Sequence, residues 1–364
     1  MPFNTLDYLF WRGDLPFQAS PVNLVDQFIF SQLATPDYTH IVTSGKKEVT
    51  VEEASEAYFK THSEDYKSIG VLQSRYVLTM FKELAGTERF RHAALCGFGS
   101  RIKYENEEQF AAVTILPTDG LVCVSFRGTD DTLIGWKEDC HLAAMDRVPA
   151  QQDALKYLKR AAEIHPGKIM TVGHSKGGNL AVYAAASAPK EIRDRIVSVV
   201  SFDGPGFRED FLNSEGYLDI RDRVVTVLPQ NSMVGILLNL AGTPFYVHSM
   251  MKGPLTHDGF NWEVLPTGFV QEDGLDSVSR NIKEILTETL DGMSDGEKET
   301  FIDALFGRMM DTGANSVTDL TELTVIEKVR LFGDMKNDEC LSGFAERMMQ
   351  VAKTVFSDYL SELI

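Results

Sequence analysis

Six consecutive residues, Gly173-His174-Ser175-Lys176-Gly177-Gly178, contain the spacing Gly-x-Ser-x-Gly. An apolar, partly β-branched run, Ile169-Met170-Thr171-Val172, comes directly before them. A run with helical character, Asn179-Leu180-Ala181-Val182-Tyr183-Ala184, comes directly after. Strand, sharp turn and helix in that order make the setting of a nucleophile elbow. The serine then sits in a strained turn, its hydroxyl exposed at a helix N-terminus whose dipole favours developing negative charge. The glycines remove side chains that would collide with the neighbouring strand and helix. The alternative is an ordinary Gly-rich turn with a capping serine.

A nucleophilic serine needs a base, and in this arrangement the chain order is Ser, acid, His. Of the eight histidines, His40, His62, His92, His141 and His165 precede Ser175, and His174 is its neighbour. His248 and His257 follow it. His248 lies in a strand-like run, Pro244 to Ser249, whereas His257 lies in a breaker-rich loop, Gly253 to Gly259. Catalytic groups favour loops held by a rigid scaffold, which selects His257. The acid must fall between Ser175 and His257. Asp203 ends the run Ile196 to Phe202 and is followed by Gly204-Pro205-Gly206, which puts it at the carboxyl edge of a sheet, where ligands bind. The next run, Val224 to Leu228, ends in Pro229-Gln230-Asn231-Ser232 with no carboxylate. Asp219 and Asp222 precede that run, at the other end of the sheet. An oxyanion hole needs two donors. The backbone N–H of Lys176 is one. Thr129, in the loop after the run Leu121 to Val124, offers its N–H and its hydroxyl for the other.

The elements that must carry these groups alternate. Phe110 to Leu116 and Leu121 to Phe126 read as a hairpin across Pro117-Thr118-Asp119-Gly120. Gln151 to His165 reads as helix, Ile169 to Val172 as strand, Leu180 to Ala188 as helix, and Ile196 to Phe202 and Val224 to Leu228 as strands. Helices between strands at this spacing predict a mainly parallel sheet with helices on both faces. Upstream, Ser20-Pro21 reads as N-cap and first helical residue of a helix through Val25, Phe28, Ile29 and Leu33. Thr50 with Glu53 makes a capping box, and a third helix is expected from about Val71 to Leu84. Met233 to Leu238 reads either as the lining or lid of an acyl pocket, or as a buried helix capped by Asn231 or Ser232.

Proline marks a boundary. Residues 270–364 contain none, and they hold 20 Asp/Glu against 9 Lys/Arg. Ser294 with Glu297 caps a stripe of Phe301, Ala304, Leu305 and Met309. Val325, Val329 and Phe332 form a second stripe, and Met348, Val351, Val355 and Phe356 a third. The expected division is residues 1–269 as an α/β domain with a mixed, partly helical N-terminal region, and 270–364 as an acidic helical subdomain packed on it. A partner-binding role for the acidic tail is the other reading.

Over all 364 residues the net charge is −18, from 35 Lys+Arg and 53 Asp+Glu. An acidic surface of that size disfavours phosphate backbones and anionic lipid as partners. Cys96, Cys123, Cys140 and Cys340 form no CxxC pair, which speaks against a zinc cluster. The opening MPFNTLDYLFWRGDLPF has no secretory leader pattern. The longest apolar stretch, Met233 to Met251, is interrupted by Asn239, Gly242, Thr243, Pro244 and His248, so no membrane span is expected. Together these features point to a cytoplasmic protein with reduced thiols.

Two blocks resemble the class 3 lipases of the α/β-hydrolase fold. Val124-Ser125-Phe126-Arg127-Gly128-Thr129, followed by Gly135-Trp136 and Asp139, resembles the oxyanion block, and Gly173 to Ala181 resembles the elbow. His257 with Trp262 is similar to the histidine region. Lys176, the block Phe202-Asp203-Gly204-Pro205-Gly206-Phe207 and the pair His257-Asp258 are closer to a lipase-like bacterial family catalogued as a domain of unknown function. The resemblance covers about residues 95–265. It departs from class 3 lipases where Asn231-Ser232 stands in place of their usual acid, and where Lys176 replaces their usual apolar residue. It implies an α/β-hydrolase using Ser175, His257 and Asp203, with oxyanion donors at Thr129 and Lys176. Such an enzyme cleaves an acyl bond of a small ester or lipid-like substrate through an acyl-enzyme, without metal or organic cofactor. An acyltransferase or thioesterase on the same residues, or an idle fold that binds an acyl ligand or a partner, are the rival readings.

Overall fold

A computed structural model describes residues 2–62, 76–103, 108–129, 133–141, 148–290 and 292–348. Its centre is an eight-stranded sheet whose spatial order follows the chain: β1 (Val49–Thr50), β2 (Ala94–Lys103), β3 (Glu108–Thr118), β4 (Leu121–Phe126), β5 (Lys168–His174), β6 (Ile196–Phe202), β7 (Val224–Pro229) and β8 (Thr243–Val247). β1 to β4 pair antiparallel, and β4 to β8 pair parallel. The predicted hairpin forms, with Gly120 at φ 75° closing its turn. This mostly parallel sheet flanked by helices is an α/β-hydrolase fold.

Strand order explains where the helices lie. Each parallel step needs a crossover, and right-handed crossovers that all step the same way fall on the same face. That face carries α6 (Pro149–Ile164), α7 (Lys176–Ser187) and α10 (Glu215–Ile220), with the short α8 (Lys190–Arg193) and α9 (Glu209–Leu212) in the connections. They pack on Val122, Val124, Ile169 and Val199. The opposite face would be bare. It is covered by α1 (Thr5–Arg12), α2 (Leu24–Gln32), α3 (Val51–Thr61) and α4 (Tyr76–Leu84), over Cys123, Val172, Val200 and Phe202. Alternate residues of one strand thus enter different cores, as the two-residue period of a strand requires.

The entry to α2 differs from expectation. Asn23, not Ser20, is the N-cap: its side chain accepts from the N–H groups of Val25 and Asp26, and Asp26 accepts from the Asn23 N–H. The carbonyls of Ser20 and Pro21 instead accept from Arg89. Arg89 also forms a fully buried ion pair with Asp26 at 2.5 Å and donates to Leu15 O. The Thr50–Glu53 box caps α3 as expected. The third helix is described from Tyr76, and residues 71–75 lie outside the described residues.

Beyond the sheet come α11 (Ser277–Leu290), α12 (Asp295–Met310), α13 (Val317–Glu322) and α14 (Val325–Lys336). Ser294 and Glu297 cap α12 reciprocally. Phe301, Ile302, Phe306 and Met335 share a core with Leu133 of α5 (Leu133–His141), so these helices pack beside the carboxyl end of the sheet. The stripe Val325, Val329 and Phe332 does not bury as its spacing suggested: Val325 and Val329 are 77% and 67% exposed. The third stripe lies outside the described residues after Met348. No helix among the described residues is long and apolar enough to cross a membrane.

Candidate active site

Ser175 follows β5 and precedes α7 at φ 58°, ψ −135°, a conformation costly for any residue but glycine and held in place by its surroundings. Those surroundings are close. A Cβ on Gly173 would strike the Gly177 carbonyl, and a Cβ on Gly177 would strike the carbonyl of Phe126. The elbow therefore has to be glycine on both sides of the serine for the strand, the helix and the loop after β4 to meet. The Ser175 N–H donates to Phe202 O at 2.9 Å.

Asp203 follows β6 directly, at φ 47°, and is fully buried. Its Oδ2 accepts from His257 Nδ1–H at 2.7 Å. A carboxylate only accepts, so the bond sets the tautomer and leaves Nε2 as the free ring nitrogen. Its Oδ1 accepts from Ser232 Oγ at 2.5 Å and from the Gly235 N–H at 3.1 Å. The strand end that lacks a carboxylate thus supplies support for one. Asn231 beside it accepts from the Thr256 hydroxyl and donates to Met251 O at 2.6 Å, which fastens the turn carrying His257. Met233 to Leu238 is a series of turns, not the helix that Asn231 or Ser232 would cap, because the Ser232 hydroxyl and Gly235 N–H are turned to Asp203.

His174 is the second support. Its Nε2–H donates to the His257 carbonyl at 2.7 Å, and the two rings lie 4.6 Å apart. Burial, and then the neighbouring His257, pull its pKa down to about 3 against a weaker opposing pull from Asp203, so it stays uncharged. The rival histidine, His248, is elsewhere, paired to Glu272 at 2.7 Å. Asn179 on α7 ties the block after Asp203 to the helix: its amide donates to the carbonyls of Pro205 and Gly206.

Ser175, His257, Thr129, Gly128, His174 and Trp136 wall one crevice, together with Ser31, Gln32 and Thr35 at the end of α2. Its volume is about 20 Å³, room for about one water molecule. Ser175 and His257 are 6% and 8% exposed. The Thr129 hydroxyl, one of the two donors expected of this residue, donates to Asp139 at 3.0 Å. Lys176 is buried in the first turn of α7. Among the described residues no group of three or more His, Cys, Asp or Glu side chains is placed to hold a metal ion. Sequence reasoning missed His174, Asn231 and Ser232 as supports, and the end of α2 as a wall. Their only local signal is polar residues adjoining the two strand ends.

With this geometry in view, the family is decided by one match: the Mbeg1-like sequence model fits residues 84–307. The chain belongs to the Mbeg1-like family. That family is lipase-like and of unknown function, in agreement with the resemblance read from the elbow and the Asp203 block. The Mbeg1-like match is wider than the resemblance. It takes in Thr129, Ser175, Asp203 and His257 and runs on through α11 into α12. Among solved structures, the crystal structure of M37 lipase is similar at 18% identity with a TM-score of 0.33. The similarity covers 48% of this chain and 64% of that one, under two thirds of its length. No curated protein sequence matches the chain significantly.

Proposed function

We propose that the chain is a serine hydrolase that cleaves a carboxylic ester or related acyl bond of a small, lipid-like substrate. The observation that carries this reading is the 2.7 Å bond from buried Asp203 to His257, 54 residues away, where His257 shares a crevice with a serine on a strained elbow. Ser175 Oγ attacks the acyl carbon while His257 Nε2 takes its proton. The negative oxygen of the tetrahedral intermediate is met by the N–H groups of Thr129 and Lys176. Collapse expels the alcohol, which receives the proton from His257 and leaves the acyl group on Ser175. Water, deprotonated by His257, then releases the acid and restores Ser175. Asp203 holds the imidazole and stabilises its charged form. Four unpaired cysteines suit a cytoplasmic site of action.

A fluorophosphonate probe tests the nucleophile. One equivalent should label the protein, and Ser175→Ala, folded by circular dichroism, should take up none. Equal labelling of the alanine variant would refute the assignment.

A further inference from the structure

Between the loop after β7 and the helices beyond the sheet lies a second space, of about 390 Å³. Ile236 and Leu238 wall it on the loop side, Leu286 and Leu290 on α11, and Phe301 and Leu305 on α12. Its charged residues are Arg208 and Lys298 together with Asp139, Glu209 and Asp210. The space is a cleft, open to solvent on the side of Glu209, Asp210 and Thr287. Its walls are held by polar ties from the segment beyond the sheet to α5 and to the connection after β6. Arg208 pairs with Asp295 at 2.9 Å, Lys137 pairs with Asp303 at 2.8 Å, and the Leu133 N–H donates to Asn315 O at 2.9 Å.

Two elements run from the reaction crevice into these walls. On the loop, Ser232 and Gly235 hold Asp203, and the next residue, Ile236, lines the cavity. On α5, Trp136 faces the crevice and His257, while Asp139 and Cys140 one turn later face the cavity. The hydrogen bond from Thr129 to Asp139 joins a crevice residue to a cavity residue.

We infer that this cavity is the acyl-chain site of the reaction centre, occupied by the hydrocarbon chain of the substrate's acid while the carbonyl lies at Ser175. The inference rests on the hydrolase reading for its chemistry, but not for binding. Its volume falls in the range of small-ligand pockets, roughly 300–1,000 Å³. A 150 Å³ apolar cavity takes benzene, so this one suits an unbranched chain of about eight to fourteen carbons. The helices beyond the sheet thereby become part of the substrate site.

Binding is measured first, on the full-length Ser175→Ala protein, by calorimetric titration with butyrate and with decanoate. Decanoate should bind at least tenfold more tightly. In that background Leu286→Trp and Leu305→Trp, each checked for fold by circular dichroism, should weaken decanoate at least tenfold. With the active protein and p-nitrophenyl esters, either tryptophan should lower the ratio of decanoyl to acetyl kcat/KM at least tenfold. Equal binding of the two acids, or decanoate binding unmoved by both tryptophans, overturns the inference. Chain-dependent binding that the tryptophans abolish, in a protein that turns over no ester, upholds the cavity as a chain site and overturns the hydrolase reading alone.

Discussion

At the scale of single residues, Asp203 is the junction of the site, holding His257 through one oxygen and accepting Ser232 and Gly235 through the other. Asp203→Asn should lower ester turnover on the order of 10⁴-fold, since an amide favours the wrong imidazole tautomer. Ser232→Ala removes one bond to a carboxylate, worth about 1.5–3 kcal/mol, and should lower turnover by about tenfold or more with KM little changed. Steady-state kinetics on one ester checks both, and a fully active Ser232→Ala enzyme would mean that the bond does not orient the acid. The strained turn at Ser175 was legible because an elbow is a local pattern, and the pairing of Asp203 with His257 because chain order and strand ends leave few choices. The parts played by Ser232, Asn231 and His174 were not. Each acts by a hydrogen bond to a residue distant in sequence, and such bonds leave no periodic trace. The bond from the Thr129 hydroxyl was not legible for the same reason: its acceptor, Asp139, belongs to a different element.

At the scale of elements, the strands and crossover helices were readable within a few residues, because two-residue and helical periods are properties of short windows. Two entries to elements were misjudged. Ser20-Pro21 has the types of a helix start, but its carbonyls are claimed by Arg89, and the cap passes to Asn23. Met233 to Leu238 has the composition of a buried helix, yet Ser232 and Gly235 turn to Asp203. Arg89 links the first two helices to the segment before β2 from a fully buried position. Arg89→Ala leaves the Asp26 carboxylate buried without its cation, a change that costs about 3–5 kcal/mol. Equilibrium urea unfolding should show a loss of that size with the m-value kept. A loss under 1 kcal/mol would show that the pair does not hold the N-terminal layer.

For the molecule as a whole, the suppressed pKa of His174 makes folding acid-sensitive. In the unfolded chain this histidine takes a proton near pH 6.5, in the folded one near pH 3. Between those values the unfolded state binds more protons, so stability is complete above pH 6.5 and falls as pH drops, by up to about 1.4 kcal/mol per unit. His165, also shifted downward by burial, adds in the same direction. Urea midpoints from pH 7.5 to 5 should therefore decline, and His174→Asn should flatten the decline whatever its effect at pH 7.5. An unchanged slope in that variant would remove His174 as the cause. The uncrossed face of the sheet has a consequence for how the chain is made. Helix α2 packs against β5, and its Phe30 carbonyl accepts from Ser125 of β4. Roughly 140 residues separate α2 from β5, which at about 5–20 residues per second is about 7–30 seconds of synthesis. Throughout that interval Val25, Phe28 and Ile29 exist while β5, the strand that they pack against, has not been translated. Helix α2 is thus made long before its seat exists, and its apolar side must wait uncovered by the sheet.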